Sequence, residues 1–132
     1  MAQTRSELRE KIMIILYQID IFEERNVPFN VEEVIHENLK VENEFVKDLV
    51  YGVITYKSEL DQIANSKIKD WTIDRIAKMD LPILRVAIFE IKHREDIPVG
   101  VSINEAVELA KKFGSDDSAK FINGLLGQVV EN

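Results

Sequence analysis

Apolar residues recur along this chain at intervals of three and four, the period of an α-helix, and nowhere alternate in the period of two that marks a strand. Over residues 3–24, Leu8, Ile12, Ile15, Leu16, Ile19 and Phe22 form one stripe, and Met13, Ile14, Tyr17 and Ile21 lie on the far side. A helix apolar nearly all round is buried between neighbours, or docks a partner through an amphipathic ring such as Tyr17. Val27-Pro28-Phe29-Asn30 breaks the pattern, and Asn30 is placed to cap a short acidic helix from Val31 to Leu39. Phe45, Leu49, Val53, Tyr56, Leu60 and Ile63 predict a third helix from Asn43 to Asn65. Gly52 inside it implies close packing, because glycine there costs about 1 kcal/mol relative to alanine.

Asp70-Trp71-Thr72 reads as a connection, with Thr72 capping a short turn through Ile76. Asp80 is expected to cap the next helix, with Pro82 tolerated in its first turn. Leu81, Leu84, Ile88 and Ile91 face the core there, joined by Ala87 and Phe89, and Lys92-His93-Arg94 makes a basic end. Asp96 to Gly100 reads as a loop. Ser102 and Glu105 then form an S-x-x-E capping box. The helix it opens is striped by Ile103, Ala106, Val107, Ala110 and Phe113, and Gly114 is expected to end it in the left-handed conformation. Ser115 caps a last helix with Asp116 and Asp117 in its first turn and Ile122, Leu125, Leu126 and Val129 in the core. The prediction is an all-α fold, a single domain over residues 1–132 with about seven helices in two packed helical subdomains, about 1–66 and about 70–132.

Composition narrows the class. With 132 residues, 45% hydrophobic and 31% charged, the chain can bury a core and reads as soluble and globular. It has no cysteine, which excludes disulfides and thiolate metal sites and fits a cytoplasmic protein. The longest apolar run, Ile12 to Tyr17, is far short of the roughly 20 residues that span a bilayer, and the N-terminus has no signal-peptide pattern. No membrane contact is expected. Neither is a catalytic residue, a cofactor or a metal: there is no phosphate-binding glycine loop and no nucleophile beside a base, and His36 and His93 lie in different segments. The residues themselves disfavour an enzyme.

The net charge of −7 argues against a nucleic-acid binder unless a local basic patch exists. From Phe22 to Val50 acids outnumber bases, so phosphate is not expected there. Arg5 and Arg9 lie one turn apart and share a helix face, either solvated or in contact with phosphate. On the last helix, Asp117, Phe121, Gly124 and Gln128 fall beside the core stripe, bordered by Lys120. One reading has Phe121 widening the core and Gly124 admitting a neighbouring helix. The other has Phe121 as a stacking platform for a base, with polar groups around it.

Several stretches are familiar together. Ile103-Asn-Glu-Ala-Val-Glu-Leu-Ala-Lys111, then Phe113-Gly-Ser-Asp-Asp-Ser118, then Lys120-Phe-Ile-Asn-Gly-Leu-Leu126 closely resemble the C-terminal signature of the NusB family of bacterial transcription antitermination factors. Arg9-Glu10 with Leu16-Tyr17, Phe45 to Val53, Leu60-Asp61, Trp71, Asp80 to Glu90 and Pro98 extend the resemblance through nearly the whole chain. It implies two small helical bundles, no catalysis, and binding of the box A element of nascent ribosomal RNA transcripts. The partner it implies is the NusE ribosomal protein, in a complex with other Nus factors and RNA polymerase. Carried over residue by residue, it places RNA contacts at Arg5, Arg9, Asp117, Lys120 and Phe121, and the NusE surface at Tyr17, Asp74 and Asp80. An acidic surface suits a basic ribosomal protein. This chain departs from the family in its arginines: Ser6 and Glu7 stand where many members carry a denser cluster, so RNA binding is expected to lean on the partner. Some members are homodimers that cover the RNA surface. The rival readings are a protein-interaction module without RNA binding, and the N-terminal part of an RNA methyltransferase, disfavoured because no cofactor-binding fold follows within these residues.

Overall fold

A computed structural model describes residues 3–68 and 76–131. Among these the chain forms seven α-helices and no strand: α1 Arg5–Glu24, α2 Val31–Asn38, α3 Glu44–Thr55, α4 Lys57–Lys67, α5 Asp80–His93, α6 Val99–Phe113 and α7 Asp116–Val130. The fold is all-α, as the periodicity requires. The chain divides into two compact units, residues 1–51 and 52–132, with the boundary inside α3. The subdomain break expected near 66–70 lies C-terminal to this boundary, and Asp70, Trp71 and Thr72 lie outside the described residues.

In the first unit α1 packs on α2. Thr4 and Glu7 form a capping box at the start of α1: the Glu7 N–H donates to Thr4 Oγ1 at 3.2 Å, and the Thr4 N–H donates to Glu7 Oε1 at 2.9 Å. The Thr4 N–H bond foremost, and a second from the Thr4 hydroxyl to the same Oε1 at 3.0 Å, hold the Glu7 carboxyl below the ordinary carboxylate range. Leu8, Ile12, Met13, Ile15, Leu16 and Ile19 are buried. Asn30 caps α2 as expected, accepting from the Glu33 N–H at 3.1 Å. Lys47 lies 2.9 Å from Glu42 and 3.6 Å from Glu32, so this cation is already engaged by acids of its own unit.

The second unit is built around α5, which packs on α4, α6 and α7; α6 and α7 pack on each other, and α4 on α7. Every residue from Pro82 to Glu90 is buried, including Arg85 and Glu90. Arg85 reaches Asp61 of α4 with two parallel bonds, Nε to Oδ1 at 2.8 Å and Nη2 to Oδ2 at 2.9 Å, the fork geometry that suits a guanidinium and a carboxylate.

Four details differ from the sequence pattern. The single helix predicted from Asn43 to Asn65 is two, kinked at Tyr56 (φ −101°, ψ 14°). The Tyr56 N–H still bonds Gly52 and its carbonyl still accepts from Leu60, both at 2.9 Å, so the apolar period runs through the kink unbroken. Tyr56 there stacks on His93 at 4.3 Å. Second, α6 begins at Val99, behind Pro98, whose carbonyl accepts from Val101 at 2.9 Å. Ser102 is therefore inside the helix and caps nothing; its hydroxyl donates to the buried Glu90 carboxylate at 2.8 Å. Third, Gly114 is not left-handed (φ −119°, ψ −123°). It is needed because a Cβ would lie 2.9 Å from the Ala110 carbonyl oxygen and 3.1 Å from Asp80 Oδ1. Fourth, Asp80 is the first residue of α5 and not its cap.

Candidate nucleic-acid interface

The last helix carries the strongest candidate. Ser115 caps α7, accepting from the Ser118 N–H at 3.1 Å, which fixes the register of the helix from its first turn. In that register Ala119, Ile122, Leu125, Leu126 and Val129 are buried, and Asp117, Lys120, Asn123, Gly124 and Gln128 are exposed. Phe121 is half-buried between the two sets. It lines a groove of about 390 Å³ with Lys120, Gly124, Leu125 and Gln128 of α7 and with Lys67 and Ile68 at the end of α4. The volume falls in the roughly 300–1,000 Å³ range of small-molecule sites.

The chemistry of this groove is specific. A phenyl ring and a leucine give an apolar wall for the face of a base. Lys67 and Lys120 bring two ammonium groups for phosphate, and the Gln128 amide can donate and accept. Gly124 does not admit a neighbouring helix: a Cβ built there meets no described atom within 4 Å. Its contribution is a length of bare, open backbone on the groove side. Phe121, Gly124, Gln128 and Lys120 are therefore brought together as the helical period predicts, while Asp117 is exposed one turn earlier and does not line the groove. Lys67 and Ile68 were missed. They come from a helix some fifty residues away in sequence, and no local pattern marks them.

The arginines of α1 part company. Both guanidinium groups lie over the Phe45 ring, Arg5 at 4.4 Å from its centroid and Arg9 at 5.3 Å. Planar cations stack well on aromatic faces. Arg5 is exposed and its edges remain accessible to an acceptor. Arg9 is 3% exposed, so the expected phosphate contact is corrected to a structural one. The signal is in the sequence, since Arg9 stands next to Leu8 and three residues before Ile12, at the edge of the core stripe.

The expected partner surface is altered too. Tyr17 is half-buried on α1. Asp80 is 4% exposed, and among the described residues its Oδ1 has no hydrogen-bond partner. Burial removes it from any docking surface; at the first turn of α5 its charge faces the positive end of the helix dipole. Asp74 lies outside the described residues. No group of three His, Asp or Glu able to hold a metal occurs among the described residues, and no helix there is long and apolar enough to cross a membrane.

Comparison with known proteins gives a consistent result. The NusB family model matches residues 6–131. The transcription antitermination protein NusB of Oceanobacillus iheyensis is 45% identical over 129 residues, covering 96% of this chain and 98% of that protein. The NusB of Bacillus cereus is 42% identical over 127 residues, covering 96% of this chain and 97% of that protein. Among solved structures, T. maritima NusB superposes with a TM-score of 0.85 at 28% identity, covering 100% of this chain and 94% of that one. A complex of antitermination factors NusB and NusE with dsRNA matches with a TM-score of 0.82 over 96% of each chain; at 24% identity it speaks for the fold alone. With a family match over almost its whole length and close relatives spanned from end to end, the chain belongs to the NusB family.

Proposed function

We propose that this protein is a non-catalytic transcription antitermination factor that binds box A RNA together with the NusE ribosomal protein. It works within a Nus-factor complex on RNA polymerase in the cytoplasm, by positioning RNA and partner rather than by chemistry. The observation that carries the reading is the half-buried Phe121 ring in a groove with Lys67, Lys120 and Gln128. An aromatic face beside ammonium groups suits a single strand whose bases are splayed out, and it needs no excess of positive charge elsewhere. The RNA contacts are assigned to Lys120, Phe121, Lys67 and Gln128, with Arg5 as an accessory cation and Asp117 at the edge. Tyr17 is assigned to the NusE contact. The net charge of −7 opposes RNA in general and favours a basic companion, so RNA affinity is strongest with NusE bound.

The test is a fluorescence titration of labelled box A RNA, with and without NusE. Wild type binds substantially tighter with NusE present. Phe121→Ala loses about 1–3 kcal/mol, the worth of one stacked base, with an unchanged circular dichroism spectrum. Equal affinity with and without NusE refutes the partner dependence. No binding by wild type with NusE present refutes RNA recognition, and the protein-interaction module is then the correct description.

A further inference from the structure

A second groove, of about 550 Å³, runs between α6 and α7 beside the first. Ile103 and Val107 give it an apolar side, Asn104 and Asn123 offer exposed amides, and Lys111 and Lys120 supply ammonium groups. Lys120 lines both grooves. We propose that the α6–α7 groove is a second subsite for the same single RNA strand, which passes over Lys120 from the Phe121 groove and is held by Asn104, Val107 and Lys111. This rests on the reading of the Phe121 groove as an RNA site.

Three observations favour RNA as the occupant. The two grooves share one exposed lysine, so a strand seated in the first already lies against a cation that also lines the second. The chemistry is related: Ile103 and Val107 offer an apolar wall for a base face in place of the Phe121 ring, amides both donate and accept, and a cation serves phosphate. Lys111 is available for that role, since its ion pair with Glu108 is long, at 3.7 Å, with side chains 54% and 60% exposed. Such an exposed pair is screened by salt and yields readily to a phosphate. One acid lines the groove, Asp116, in the first turn of α7, where the helix dipole already favours its charge. The two ammonium groups outnumber it.

Nested box A oligonucleotides, extended one nucleotide at a time at each end, test the proposal with the whole protein and NusE. The reference is the shortest strand whose affinity falls in Phe121→Ala. Extension at one end tightens wild-type binding by about fivefold or more, as one further stacked or ion-paired nucleotide would. Lys111→Gln and Asn104→Ala, both on the exposed face of α6, lose that gain and bind the reference strand like wild type. Lys111→Gln also lowers the salt slope of the long strand by about 0.7, one phosphate contact, and leaves that of the short strand unchanged. If the reference strand binds but no extension tightens binding, or the gain survives Lys111→Gln, the second subsite is overturned and the first stands. If Lys111→Gln weakens NusE binding without touching the gain, the groove is a protein site and the proposal fails. If no strand binds, both readings fall together.

Discussion

Replacing Gly52 with alanine measures how closely α3 approaches α5. A Cβ at this position would lie 2.5 Å from Phe89 Cε1, 2.8 Å from Cε2, and closer still to Cζ. Real Cβ atoms do not approach carbon so near, so the ring must move. It has little room: Phe89 is 4% exposed, stacked at 5.2 Å on His93 and set at 6.2 Å against Tyr56. Overpacking of this kind costs about 1–3 kcal/mol. Against it stands the better helix propensity of alanine, about 1 kcal/mol. The larger figure wins because three ring atoms are hit and the ring is hemmed on two sides, leaving a net loss of about 1–2 kcal/mol. For a chain of this size about 1 kcal/mol corresponds to roughly 4 °C, so the Tm of Gly52→Ala falls by about 4–8 °C. Urea and thermal unfolding followed by circular dichroism read it directly. Phe89→Leu in the same background vacates the contested volume, so the double variant loses less than the sum of the singles. A Gly52→Ala protein as stable as wild type, or more so, shows that propensity decides and that the close approach carries no cost.

Two further outcomes are expected. Ser102→Ala removes a hydroxyl donor from Glu90, which is 1% exposed, and costs about 1–3 kcal/mol in urea unfolding; a loss within error of zero would show the bond to be idle. Thr4→Ala removes the cap of α1, at about 1 kcal/mol by the usual worth of an N-cap hydroxyl. Glu7 is held below its ordinary pKa by the Thr4 hydrogen bonds, so its contribution is present above the unfolded-state value and is lost as pH falls through the folded one. Thr4→Ala loses the hydroxyl bond to Glu7 but keeps the larger backbone one, so its gap from wild type narrows in part on acidification through the carboxylate range, and a gap that widens there contradicts the assignment.

Local chemistry was legible and long-range recruitment was not. Asn30 and Ser115 cap their helices because a side chain reaching a backbone N–H three residues on depends on nothing distant. The Thr4–Glu7 box has the same form and was equally readable. Ser102 and Glu105 share that spacing, yet Pro98 starts the helix earlier and Glu90, from α5, takes the hydroxyl. The kink at Tyr56 leaves the apolar period intact, so periodicity passes over it. In the candidate site, the face of α7 followed from the helical angle alone, while Lys67 enters by the packing of α4 on α7. Arg9 beside the stripe reads as solvated or phosphate-bound from its charge, yet it is buried, because a guanidinium can lie over a ring.

The enclosed run of α5 has a bearing on how such proteins diverge. With its side chains walled in from Pro82 to Glu90, it serves as a fixed axle whose amides should be among the slowest to exchange with deuterium. Helix α7 rests on that axle by its inner side chains, so its outward residues are free to drift. Recognition preferences can then be retuned between lineages, one solvent-facing position at a time, while the mounting beneath stays put.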